Sequence, residues 1–366
     1  MAEISEQIKN IEKEIRDTPY HKGTEHHIGR LRARLSRLKD KQFEKPAKGG
    51  GGGLRLGGAS GSERGYSVKK QGDSTVVLVG PPSVGKSTLL NKLTNANSKI
   101  APYDFTTVSV IPGMMDYKNA KIQILDVPGL IKGAEEGKGR GKEVLSVARG
   151  ADLLILLCDA GNEEYFIQIV NSLEKNGIRI NQNPPKVYLE KKLKGGIIIH
   201  SNINQDLSKE TIKEIAQELG IKNAEITIKQ LLSIDNLIDA FSKSRVYVPA
   251  IYVVNKIDIQ KGKVKSNIDL SISADKGINL DKLKDLIWNK MEFIQLFLVR
   301  PDEEPSYNHP IIMKEGQTLS DVAEKIGSDF AEGKKKAKIW ESSAKYPGQE
   351  VPLSTQATEG MQVRFI

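Results

Sequence analysis

The stretch Gly80-Pro81-Pro82-Ser83-Val84-Gly85-Lys86-Ser87 constrains this chain more than any other. It follows the apolar run VVLV and opens the helical pattern KSTLLNKL. Glycines in such a turn let backbone N–H groups approach phosphate oxygens closely, and the helix beginning at Lys86 adds the positive end of its dipole. A strand, this loop and a helix in that order call for a sheet covered by helices. From Ser74 the text keeps that rhythm. STVVLVG, KIQILDVPG, ADLLILLCDA and AIYVVNKID are short apolar runs suited to strands buried on both faces, with KSTLLNKLTN, KEVLSVARG and LDKLKDLIWNK as the helices between or after them. The fold class expected is α/β, a doubly wound, mostly parallel sheet.

Each later motif adds chemistry in chain order. Lys86 would bridge the β- and γ-phosphates and Ser87 would ligate magnesium, with Gly80 to Gly85 cradling phosphate and Thr88 beside them. Asp126-Val127-Pro128-Gly129 stands 40 residues after Lys86 at the end of the strand KIQIL. Asp126 would reach magnesium through a water molecule, and the Gly129 N–H would meet the γ-phosphate. Asn255-Lys256-Ile257-Asp258 decides the base. Guanine presents N1–H and N2–H₂ side by side, one carboxylate accepts both, and adenine has no such donor pair. Asp258 therefore selects GTP over ATP. The stem of Lys256 can lie on the ring, and Asn255 can hold the base edge and tie back to the phosphate loop. Ser273-Ala274 would bring a backbone N–H to guanine O6. Between the first two motifs lies Tyr103-Asp104-Phe105-Thr106-Thr107. A threonine there can offer its hydroxyl to magnesium and its N–H to the γ-phosphate; Thr107 is the choice and Thr106 the competitor, with Phe105 beside the nucleotide. The expected catalytic set is Lys86, Thr107 and Gly129.

The flanks carry other patterns. Ile4, Ile8, Ile11 and Ile15, then Ile28, Leu31, Leu35 and Leu38, are helical apolar seams broken by Thr18-Pro19 and Gly23, which implies an N-terminal helical hairpin over 1–48. The second helix is basic from Arg30 to Lys48, as a solvated face or as a contact for RNA phosphates. The glycine-rich segment in 49–73 is a tether or a mobile loop. From Asp126 to Asn255 is 129 residues, where two strand–helix units need about 60, so an α+β insert is expected over 177–240. It divides the nucleotide domain into 74–176 and 241–292, and it carries Lys186, Lys191, Lys192 and Lys194. The rest, 293–366, is a separate domain of two terminal strands and a helix in which Leu319, Val322, Ile326 and Phe330 share one face.

The net charge of +9 favours polyanionic partners. No run approaches the roughly 18 apolar residues that span a bilayer, so no membrane is expected. A single cysteine, Cys158, in the apolar run LLILLC reads as a buried small hydrophobe, which suits a reducing cytoplasm.

GPPSVGKSTL, PYDFTTV, DVPGLIKGAEEGKGRG and NKID after a long insert resemble the Obg-related branch of the translation-factor class of P-loop GTPases. Together with the N-terminal helices, GIRINQNPP and RVYVPAIYVVNKID, they resemble the developmentally regulated GTP-binding proteins, in an archaeal-type version. The resemblance implies an insert folded like the second domain of a small-subunit ribosomal protein and a C-terminal β-grasp domain of the TGS type. It also implies association with the ribosome or its RNA, a role in translation and room for a protein partner; DNA is not expected. Leu130 stands where small signalling GTPases place the water-orienting glutamine, which implies slow hydrolysis helped from elsewhere. An arginine finger in trans or Arg140 could give that help, if Arg140 is not simply solvated. Relatives that use potassium hold it with an asparagine at the place of Ser83, so the serine here leaves magnesium the stronger cofactor expectation. Two rival classes stay open: an RNA-binding scaffold with GTP as a structural ligand, and an ATPase or kinase, which NKID disfavours.

Overall fold

The computed structural model describes residues 2–43, 71–94, 110–127, 140–242, 244–259, 268–340 and 344–366. The chain divides into two compact units, Met1–Ser67 with Val170–Val248, and Val68–Ile169 with Pro249–Ile366.

The second unit contains a six-stranded sheet in the order Leu270–Ser271, Ala250–Asn255, Leu153–Asp159, Ser74–Val79, Ala120–Asp126, Ile111–Tyr117. The first five run parallel, and Ile111–Tyr117 pairs antiparallel at the edge. Ser74–Val79 is buried at every position, as a central strand with helices on both faces must be. The helix Lys86–Leu93 lays Leu89, Leu90 and Leu93 on this sheet, and Leu280–Lys290 adds Leu283, Ile287 and Trp288. Their common apolar core fixes where the strand ends, and hence the loops, come together.

The same unit continues into a five-stranded sheet in the order Pro310–Lys314, Phe293–Leu298, Gln362–Phe365, Lys336–Trp340, Gln349–Pro352. Trp288 meets Phe293 edge to face at 5.4 Å, and Phe293 and Ile312 join the nucleotide-domain core. The helix Leu319–Ile326 starts on a reciprocal cap between Thr318 and Asp321 and buries Leu319 and Val322 on the sheet. The single amphipathic helix expected through Phe330 is two. The chain becomes extended at Gly327, and Phe330 lies on a second short helix, Ser328–Glu332, where it packs on Phe365.

In the first unit, helices Ala2–Asp17 and Glu25–Phe43 are linked by an ion pair from Lys39 to Glu12 at 2.8 Å and by a contact between His27 Nε2 and Glu14 Oε1 at 3.0 Å. The other face of Glu25–Phe43 packs on the helix Lys209–Glu218. Gly29 makes the close approach possible, since a Cβ there would lie 3.1 Å from Ile215 Cδ1. Behind lies a three-stranded sheet in the order Val187–Lys191, Ala224–Ile228, Ile197–Ser201, sharing one apolar core with Ala33, Ile215 and Phe241. Asp239 is nearly buried and is gripped by Arg179 at 2.6 and 2.9 Å and by Arg245 at 2.6 Å.

Candidate nucleotide site

The parallel register sets Leu78 beside Asp126 and Asn255 beside Asp159, so the phosphate loop and three strand ends open at one edge of the sheet. An open α/β sheet binds its ligand in such a crevice.

The loop itself has the backbone of an anion cradle. Ser83 at φ 61° and Gly85 at φ 89° take left-handed conformations, which turn neighbouring N–H groups toward a common point. Gly80 lies close against the next strand, where a Cβ would fall 2.5 Å from the Leu157 carbonyl. Lys86 is buried, and its Nζ donates to the Gly80 carbonyl at 3.0 Å and the Pro81 carbonyl at 2.9 Å. Burial holds its pKa below the ordinary lysine value, and the Asp126 carboxylate opposes that shift. Ser87 Oγ donates to Asp126 Oδ2 at 2.5 Å, which puts a hydroxyl from the first turn of the helix beside the carboxylate that ends its strand. Thr88 follows, exposed on the same turn.

The base-reading side is built around Asn255. Its buried Nδ2 donates to the Val84 carbonyl at 2.8 Å, and its Oδ1 accepts the Ala274 N–H at 2.9 Å. One side chain thus ties the phosphate loop to the Ser273-Ala274 loop. The Ser273-Ala274 loop, from which the sequence leads us to expect a backbone N–H at guanine O6, has both amides engaged in this arrangement, Ser273 with the Ile278 carbonyl at 3.3 Å and Ala274 with Asn255. Lys256, left-handed at φ 64°, stretches its Nζ to the Ser83 carbonyl at 2.6 Å and to Asp159 Oδ2 at 3.2 Å. Asp258 is exposed. A hydrogen bond from the Ser273 side chain, helped by the Lys276 charge, holds its carboxyl below the usual range against a desolvation that acts the other way.

Residues 80 to 88, Asp126, Asn255, Lys256, Asp258, Ser273 and Ala274 therefore gather at one edge of the sheet. Phe105, Thr106, Thr107 and Gly129, with Leu130, lie outside the described residues, as does the side chain of Arg140. Sequence reasoning missed Asp159, the partner of Lys256, which reads there only as the polar end of an apolar strand. Its other oxygen, Oδ1, is buried without a hydrogen-bond partner. The neighbouring Cys158 is fully buried and its thiol is pushed up to about 12 by that burial, so it is an inert core residue. No helix among the described residues is long and apolar enough to cross a membrane.

Comparison with known proteins agrees with this geometry. Residues 75–192 match a family model described as "50S ribosome-binding GTPase", and 194–293 match the model for the C-terminal region of the same domain. A GTP-binding protein of Methanocaldococcus jannaschii is 42% identical over 98% of this chain and 91% of its own. Developmentally-regulated G-protein 3 of Arabidopsis thaliana is 40% identical over 96% of this chain and 95% of its own. The human developmentally-regulated GTP-binding protein 2 is 37% identical, covering 96% of each chain. Sharing a phosphate loop and a guanine-reading motif with these relatives along almost its whole length, this chain is a GTP-binding P-loop GTPase and belongs to the developmentally regulated GTP-binding protein family.

Proposed function

We propose that this chain is a slow, magnesium-dependent GTPase that works as a nucleotide switch on the ribosome or its RNA. The observation that carries the reading is the double tie of Asn255, to the Val84 carbonyl and to the Ala274 amide, which couples the phosphate loop to the base-reading loops. A cradle joined in this way senses base and phosphates as one unit.

The residues present suit magnesium. The Ser87 hydroxyl and the Asp126 carboxylate are hard oxygen donors, and few protein ligands are needed where phosphate oxygens and water supply the rest. Bound there, the ion would supply charge neutralisation to the phosphates. Lys86 exchanges its two carbonyl partners for phosphate oxygens, and the charge of the triphosphate offsets the burial that disfavours its ammonium. Asp258 accepts both guanine donors, while Lys256, braced by Asp159 and the Ser83 carbonyl, lies along the ring. Potassium has less support, because Ser83 offers a hydroxyl in place of an amide oxygen.

Leucine at position 130 leaves the attacking water without a side-chain hydrogen bond from that position. We therefore expect turnover on the order of 10⁻⁴ to 10⁻³ s⁻¹ without a partner. The helices at the N-terminus form a hairpin, the insert 177–240 resembles the second domain of a small-subunit ribosomal protein, and 293–366 is a β-grasp domain of the TGS type. The matched description "50S ribosome-binding GTPase" and the net charge of +9 support ribosome association.

Co-sedimentation with ribosomes in GDP, GTP and a non-hydrolysable analogue, alongside turnover with and without ribosomes, tests the reading. Nucleotide-dependent sedimentation and faster turnover on ribosomes are expected. Sedimentation that ignores Lys86→Ala and Asp258→Asn would point instead to a scaffold in which GTP is a structural ligand.

A further inference from the structure

The sequence offers two basic clusters, and the structure separates them. On the helix Glu25–Phe43 most of the cations already have partners within their own unit. Arg32 meets Asp235 at 2.8 Å, Lys39 meets Glu12 at 2.8 Å, and Arg37 donates to the Glu218 carbonyl at 3.1 Å. Replacing such contacts by phosphate contacts yields little net gain. On the three-stranded sheet the balance is reversed. Its inner face holds Leu189, Ile199 and Ile226 in the core. On its outer face the register aligns Tyr188, Thr227 and His200 in one row across the three strands.

Tyr188 is 59% exposed, and Lys229 Nζ stands 4.8 Å from its ring centroid. The two carboxylates of the face, Glu190 and Glu225, are already matched: Lys192 reaches both and His200 reaches Glu225 at 2.9 Å. Lys186 and Lys194 are exposed beside them, with no carboxylate partner among the described residues, whereas Lys191 alternates to the other side of its strand with Leu189. At the end of the sheet a cleft of about 670 Å³ is lined by Lys209, Lys229, His200, Asn202 and Asn204 among others, and no carboxylate lines it.

We propose that this outer sheet face, centred on Tyr188 and Lys229, is a docking surface for single-stranded RNA. An exposed ring takes a base on its face, unpaired lysines take the flanking phosphates, and hydroxyl and amide side chains in the row and cleft suit ribose 2′-OH groups. A folded protein partner of matching charge would need carboxylates opposite a patch whose centre is a ring, whereas every RNA base has a face to stack. The proposal deepens the ribosome reading and rests on it for its biological setting.

The test uses the full-length chain and a fluorescein-labelled 12-nucleotide oligouridylate at low salt. Tyr188→Ala combined with Lys229→Ala weakens binding by about tenfold or more. Tyr188→Phe keeps wild-type affinity within about twofold, as does Arg34→Ala on the helix. Each lysine removed lowers the salt slope by about 0.7. GTP turnover is unchanged in these variants. Wild-type affinity in the double variant, or no oligouridylate binding by the wild-type chain, overturns the proposal. Ribosome co-sedimentation keeps the two readings apart. A wild-type chain that binds oligouridylate through Tyr188 but never sediments with ribosomes sinks the ribosome reading alone. A double variant that loses ribosomes but keeps oligouridylate assigns the face to protein and sinks this one.

Discussion

Gly85 and Asn255 occupy complementary space: the Cβ that Gly85 lacks would fall 2.5 Å from Asn255 Nδ2, the atom that ties the strand end to Val84. The same glycine sits at φ 89°, a conformation costly to any L side chain. Gly85→Ala is therefore expected to lose about 2–3 kcal/mol of stability, from backbone strain and from the displaced Asn255 hydrogen bond together. GDP affinity should fall with it. Urea denaturation with and without GDP checks both.

Asp258→Asn replaces two acceptors facing guanine by one acceptor and one donor. GDP should bind about 10- to 100-fold more weakly. Xanthosine diphosphate, whose 2-oxo group accepts a hydrogen bond, should gain affinity over the wild type. Competition against a fluorescent nucleotide measures the exchange.

The acid limit of nucleotide binding follows from Ser273. Its side chain and the nearby Lys276 charge hold the Asp258 carboxyl below the usual range. A depressed carboxyl contributes stability that is fully present above the ordinary carboxylate pKa and is lost as pH falls through the depressed value. Ser273→Ala should move the acid loss of GDP affinity to higher pH. Titrations of GDP binding between pH 3.5 and 7 read the shift, and an unchanged midpoint would remove Ser273 from the account.

Ser87→Ala removes one oxygen donor while leaving the helix it opens intact. Magnesium-supported GTP affinity should drop by about 10- to 100-fold, whereas binding of GDP in chelator should hardly change. The nucleotide-free melting temperature should fall by about 2–4 °C, because buried Asp126 loses the hydrogen bond that Ser87 donates.

Much of the site was legible in the sequence because its parts are local. The loop from Gly80 to Gly85 lies between its strand and helix, Lys86 and Ser87 open that helix, and Asp126 and Asn255 end their strands, where short apolar runs place them. What was not legible depends on register between distant strands. Asp159 braces Lys256 only because Leu153–Asp159 and Ala250–Asn255 are neighbours, 97 residues apart at the contact. The Ala274 amide bonds to Asn255 because Leu270–Ser271 pairs beside Ala250–Asn255. The helix Glu25–Phe43 showed its Ile28 and Leu31 seam, but small residues hid its second contact face, since Gly29, Ala33 and Ser36 give no apolar period.

Asp239 carries a stability prediction of its own. Asp239→Ala leaves Arg179 and Arg245, 15% and 11% exposed, without their shared carboxylate. Removing one member of such a nearly buried group costs about 3–5 kcal/mol, and replacing all three by apolar residues should restore much of it. Thermal unfolding of the single and triple variants distinguishes the two.

The most direct test of the guanine-reading cradle is a calorimetric titration of the nucleotide-free chain with GDP and with ADP in magnesium. The account predicts GDP bound at least about 100-fold more tightly, with that preference lost in Asp258→Asn. ADP binding as tightly as GDP to the wild-type chain would contradict it.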